Sequence, residues 1–209
     1  MRIWFLALCA LAGLAGCAAQ TVESPPEEVA RAAYTHDGPA KLTLYTMLNN
    51  RTGAGAHTSL MINGRQRVIF DPAGSFNQSK VVPESGDVLY GITPPVADVY
   101  TRYHARKTYH VRVQELEVSP EMADRAIAAA EAYGAVPSAQ CSRSTSVILA
   151  GLYPGKVKPT WYPRRLSEQF ATLGEVRVSE LYEYDSDDNS KVLADWDPDK
   201  VARAAVPAE

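Results

Sequence analysis

Lys41-Leu42-Thr43-Leu44-Tyr45-Thr46-Met47-Leu48 is the stretch from which the fold is read. Period-2 spacing sends Leu42, Leu44 and Leu48 to one face and Thr43, Tyr45 and Met47 to the other. Both faces are apolar or β-favouring, so the segment reads as an interior strand. Outward from it, Asn49–Gly55 is turn chemistry, and His57-Thr58-Ser59-Leu60-Met61-Ile62 reads as a second strand. Asn63-Gly64 then signals a tight two-residue hairpin, with Arg67–Phe70 as the returning strand and Asp71-Pro72-Ala73-Gly74 as its end.

Further along, Asp87–Ile92 reads as a short strand, Val96–His104 as a helix after a double proline, and Lys107–Val118 as a long strand. Ser119-Pro120-Glu121 opens a helix with a Ser N-cap, Pro in the first turn and an early acid; Gly134 stops it after Tyr133. Ser142–Leu152 and Pro163–Leu173 read as two more helices, and Val176–Tyr184 as a last strand. Hairpin strands beside separate helices predict an α+β fold, an antiparallel sheet packed against helices.

The ends read differently. Met1-Arg2 leads into an apolar run that closes on small residues, the pattern of a secretory signal and too short for a span of roughly 20 apolar residues. Leu14-Ala15-Gly16-Cys17 resembles the lipobox of bacterial lipoproteins. The resemblance implies a signal peptide over 1–16, a lipid on Cys17 and a membrane tether through it. Ala18 in place of Asp then implies an outer-membrane address facing the periplasm. Residues 17–40, rich in Ala, Pro and Glu, read as the lipidated N-terminus and a spacer with a short helix around Glu27–Tyr34. The domain is expected over 41–184, and 185–209 as a polar, mobile tail. The formal charge of −3, or −4 once Arg2 is removed, gives no support for nucleic acid as a partner. The oligomeric state is not legible.

Of three cysteines, Cys9 leaves with the signal and Cys17 carries the lipid, so Cys141 alone remains in the domain. An odd Cys in an exported domain is either a reactive thiol or a small buried apolar residue. Cys141 stands at a helix start, where unpaired N–H groups and the positive end of the helix dipole favour a thiolate. Of the four histidines, His36 falls in the spacer, and His104 and His110 read as surface residues at a helix-to-strand junction. His57 opens a strand whose hairpin partner ends at Asp71, and residues opposite one another on such strands approach to about 5 Å. Asp71 before Pro72 is equally a turn former. With one Cys and dispersed His there is no zinc spacing. Asp185-Ser186-Asp187-Asp188 reads as a solvated charge run. Tyr100, Tyr103, Tyr109 and Tyr153 read as half-buried packing, and Trp161-Tyr162 either as a wall of the site or as a core anchor.

Gly55–Ile62, Ile69–Ser75 and Gln140-Cys141-Ser142 together are similar to the circularly permuted NlpC-type papain-like cysteine hydrolases, in which the His-bearing strand precedes the Cys-bearing helix. The likeness covers roughly Lys41 to Tyr184. It implies a papain-like permuted fold with Cys141 as nucleophile, His57 as general base and Asp71, by position, as the orienting residue, with no metal or organic cofactor. Gln140 departs from the Asn common before the Cys. The implied substrates are peptidoglycan peptides, cleaved by an amidase or endopeptidase, or acyl esters and amides, as in relatives resembling the lecithin:retinol acyltransferases. A non-catalytic binding or scaffolding lipoprotein of the same fold is the third reading.

Overall fold

A computed structural model describes residues 22–76 and 81–194; the signal sequence and Cys17 lie outside the described residues. The seven strands are β1 (Lys41–Asn49), β2 (Gly55–Asn63), β3 (Arg67–Phe70), β4 (Glu84–Ser85), β5 (Val88–Leu89), β6 (Tyr109–Glu117) and β7 (Arg177–Leu181). They form one antiparallel sheet in the order β4-β5-β3-β2-β1-β6-β7, so the segment read as an interior strand is central. Among the described residues six helices accompany it: α1 (Pro26–Ala32), α2 (Pro94–His104), α3 (Pro120–Tyr133), α4 (Cys141–Leu152), α5 (Pro163–Phe170) and α6 (Ser190–Ala194). The class is α+β, as expected.

Alternation along the strands builds two cores. Leu42, Leu44, Leu60, Ile62, Val68 and Phe70 point to one face and are sealed by α3, α4 and α5 through Ala126, Ile127, Leu149, Leu166 and Phe170. Tyr45, Met61, Ile69, Leu89 and Val111 point to the other, where α2 brings Val96, Tyr100 and Tyr103. Each fully buried large aliphatic stabilises the fold by roughly 1.5–3 kcal/mol relative to exposure, which makes these two layers the main support of the sheet.

Both turns adjoining β3–β5 differ from expectation. Asn63 pairs with Arg67 across a three-residue loop, Gly64–Gln66, closed by Gly64 N donating to the Gln66 carbonyl at 3.1 Å. The two-residue hairpin lies instead at Gly86-Asp87, at the start of the segment read as the Asp87–Ile92 strand. Ser85 pairs with Val88, and both turn residues have positive φ (55° and 63°), the combination that defines a type I′ turn. Glycine's freedom and the tolerance of Asp for this region allow Gly-Asp to make the tight turn here.

The described parts of the two terminal segments lie against the domain. Ser24 N donates to the Glu84 carbonyl and Gly86 N to that of Val22, so the chain before α1 covers the β4 edge. At the other end Lys107 N donates to the Asp185 carbonyl, and the Asp187 carboxylate accepts from both N and Oγ1 of Thr108. Val192 and Leu193 of α6 then rest on the α2-side core. Among the described residues no helix is long and apolar enough to cross a membrane.

Candidate active site

Between Met47 and Leu48 the register of β1 and β2 shifts: Met47 faces His57, yet Leu48 faces Gly55, leaving Ala56 as an extra residue. Such a bulge bends the strand and re-aims the next side chain. The next side chain is His57, half-buried at the start of β2, whose Nε2 lies 2.8 Å from Oδ1 of Asp71. The pairing is not the direct one expected from the hairpin. Leu60 faces Phe70, so Asp71 extends the register opposite Ser59 and reaches His57 diagonally on the same face.

Asp71 is buried, with its side chain only 3% exposed, and a buried carboxylate needs several donors. Tyr100 supplies one: its hydroxyl, 2.7 Å from Asp71 Oδ1 and also 2.7 Å from Ser59 Oγ, donates to the carboxylate and accepts from the serine. Burial pushes the Asp71 carboxyl up, but the bond and charge of His57 and the Tyr100 donor outweigh it and hold it below its ordinary 3.8. The turn after it is built for this group. Pro72 and Ala73 (φ 55°) form a type II-like turn closed by Gly74 N on the Asp71 carbonyl at 3.0 Å. A Cβ on Gly74 would stand 1.9 Å from Asp71 Oδ2, so only glycine leaves the carboxylate its place. The strained Ala73 is held by its N–H on Asp87 Oδ2 at 2.9 Å, and the same oxygen accepts from Val136 N at 2.9 Å. Asp87 thereby ties the Asp71 turn to the loop before α4.

Cys141 is the first residue of α4 and 8% exposed. Gln140 occupies the N-cap position without a side-chain cap bond, so its side chain does not consume the first-turn N–H groups. Burial raises the thiol, but the hydrogen bond and charge of His57, with the backbone N–H groups of Thr58 and Ser142, bring it below its ordinary 9.0. His57 responds in kind. Burial opposes its charge, yet bonds to Asp71 and Cys141 raise it from 6.5 to about 10. Since Nε2 is taken by Asp71, Nδ1 is the ring nitrogen left for the sulfur. Both shifts favour the ionised form of the pair, a thiolate beside an imidazolium.

His57, Asp71 and Cys141 therefore come together. His104, read as a surface residue, belongs here too: its ring stacks on His57 at 5.8 Å between centroids and 14° between planes. Its Nδ1 donates to the Tyr100 carbonyl at 2.8 Å, and burial, with the charge of His57, lowers it to about 4, so it stays neutral. The spacing Tyr100 to His104, one helical turn, was the available signal for both residues missed in the sequence. His110, also read as exposed, is 7% exposed, with Nδ1 2.7 Å from Asn50 Oδ1 and its ring stacked on Tyr182. Trp161 and Tyr162 are 56% and 68% exposed, which excludes the core-anchor reading.

A cleft of about 450 Å³ opens beside His57, walled by Gly74, Ser75, Tyr103, His104, Arg106 and Tyr109. One ligand atom each from His57, Asp71 and His104 lies within 4.8 Å of the others, a set that suits a divalent ion. The His57–Asp71 separation of 2.8 Å is, however, that of a shared proton; two ligands on one tetrahedral zinc stand about 3.3 Å apart. Compared with family models, curated proteins and solved structures, the chain matches none.

Proposed function

We propose that the chain is a thiol hydrolase in which Cys141 attacks an acyl carbonyl as thiolate. The observation that carries this reading is the ordered relay from an α4 N-terminal sulfur to His57 and on to the buried, Tyr100-bonded Asp71. His57, as imidazolium, returns a proton from Nδ1 to the leaving group and, once neutral, takes one from the water that releases the acyl enzyme. Asp71 keeps the second proton on Nε2 and so fixes the tautomer. The first-turn N–H groups of α4 are the donors placed to receive the oxyanion.

The order of elements, His-bearing β2 before Cys-bearing α4, supports the permuted NlpC-type papain-like reading. On that reading, with Cys17 lipidated and the chain held at the periplasmic side of the outer membrane, cell-wall peptides are the leading substrates for an amidase or endopeptidase. Acyl esters and amides are the alternative. The test is turnover of peptidoglycan peptides by wild type and Cys141→Ser. A loss of at least about 10⁴-fold, with unchanged folding, is expected; cleavage that survives in the variant would disprove the assignment.

A further inference from the structure

The loop joining α4 to α5, taken with the first residues of α5, has a composition unlike the rest of this acidic chain. Pro154-Gly155-Lys156-Val157-Lys158-Pro159-Thr160-Trp161-Tyr162-Pro163-Arg164-Arg165 holds four cations and no acid, against a net charge of −3 overall. Val157 and Pro163 anchor it inward, whereas Lys156, Lys158, Trp161, Tyr162, Arg164 and Arg165 are exposed. Arg164 pairs with Glu168 at 3.1 Å; among the described residues Lys156, Lys158 and Arg165 pair with no acid.

The loop backbone is fixed. Gln169 bonds Lys158 through both its N–H and its carbonyl, and Ser146 Oγ of α4 accepts from Thr160 N at 2.9 Å. The aromatic side chains are thus held outward on a rigid support. Trp161 is the one tryptophan among the described residues, and tryptophan is ordinarily a highly buried residue. Its surroundings place it at the active end of the sheet. A Cβ on Gly55 would meet Arg164 N and Pro163 Cβ at 2.8 Å, and Gly55 stands two residues before His57.

We infer that this loop is a membrane-interface dock, which seats Trp161 and Tyr162 among the headgroups of an anionic phospholipid bilayer while Lys156, Lys158 and Arg165 face the lipid charge. Indole and phenol rings combine an apolar body with a polar tip and favour that depth, and cations nearby add electrostatic attraction. Docking in this way turns the Gly55 end of β2 toward the membrane surface. The inference stands on the loop alone and does not depend on the thiol chemistry.

The test uses the full chain carrying Trp4→Phe and Trp196→Phe, so that Trp161 is the sole indole. Its emission is read on vesicles of phosphatidylglycerol with phosphatidylcholine, with and without brominated acyl chains, and on phosphatidylcholine alone. A blue shift and bromine quenching confined to the anionic vesicles are expected. Lys156→Gln/Lys158→Gln/Arg165→Gln should lower the partition of the Trp161 signal about 100-fold, at about fivefold per cation, and high salt should mimic it. An unshifted Trp161 on anionic vesicles overturns the proposal. So does equal quenching on phosphatidylcholine, or a shift produced by a soluble anionic polysaccharide and not by vesicles. None of these readouts involves Cys141, so failure here and failure of the hydrolase reading are separable.

Discussion

The two faces of the one sheet are built to different rules. Toward α3, α4 and α5, β2 and β3 present Leu60, Ile62, Val68 and Phe70, each fully buried and apolar. Toward α2, the same strands begin as Met61 and Ile69 but pass, within one or two residues, to Ser59, His57 and Asp71. The first face can be altered with a cost in stability alone. The second carries a buried charge, two hydroxyls and two imidazoles whose positions depend on one another. These strands thus carry His57, Ser59 and Asp71 on the α2 side, while Cys141 comes from α4 on the other.

Breaking the polar face should give the largest effect. Gly74→Ala forces the Asp71 carboxylate from its place and, by splitting a buried ion pair, should destabilise the fold by about 3–5 kcal/mol. In an Asp71→Ala background the same change should cost much less, and denaturant melts of the four chains measure that coupling. Equal costs in both backgrounds would mean that Gly74 serves the backbone rather than the carboxylate. Leu60→Ala, on the apolar face, should cost about 2–5 kcal/mol yet leave the pH profile of Cys141 alkylation in place below its melting point. A displaced profile would mean that the two faces are coupled more tightly than the packing implies.

Tyr100→Phe is the finer probe. It removes one donor from a buried carboxylate, about 1–3 kcal/mol, and leaves the Ser59 hydroxyl without its acceptor. The pH dependence of stability probes the same pair without truncating Tyr100. His57, raised to about 10, contributes stability that is complete below its unfolded value near 6.5 and is lost as pH rises through about 10. Asp71, held below 3.8, contributes stability present above 3.8 and lost as pH falls through its folded value. Melting temperature should therefore be flatter across both windows in Asp71→Asn; an unchanged pH dependence would show that the pair does not form.

How much of this was legible follows the same division. The apolar faces announce themselves by period-2 alternation, so β1, β2 and β3 are readable from Leu42, Leu44, Leu60 and Ile62. Cys141 is legible as a lone thiol at a helix start, and His57 as a histidine opening a strand. The bulge at Ala56 was not, because register is a property of two strands and the sequence shows one at a time. The same reason hid the diagonal approach of Asp71. Tyr100 and His104 sit on a helix distant in sequence from β2, and only the tertiary fold shows that their shared face is the one covering His57. Asn63-Gly64 and Gly86-Asp87 both carry turn chemistry, and strand pairing alone puts the tight turn at Gly86-Asp87.

The central claim is that Cys141 is a thiolate held by His57. Its most direct test is the pH dependence of iodoacetamide alkylation, followed by mass spectrometry at the Cys141 peptide in wild type and His57→Ala. The expected wild-type midpoint lies below the ordinary thiol value of 9.0, and that of the variant lies higher than wild type, because only the Thr58 and Ser142 N–H groups then oppose burial. A wild-type midpoint at or above 9.0, or one that His57→Ala leaves in place, would contradict it.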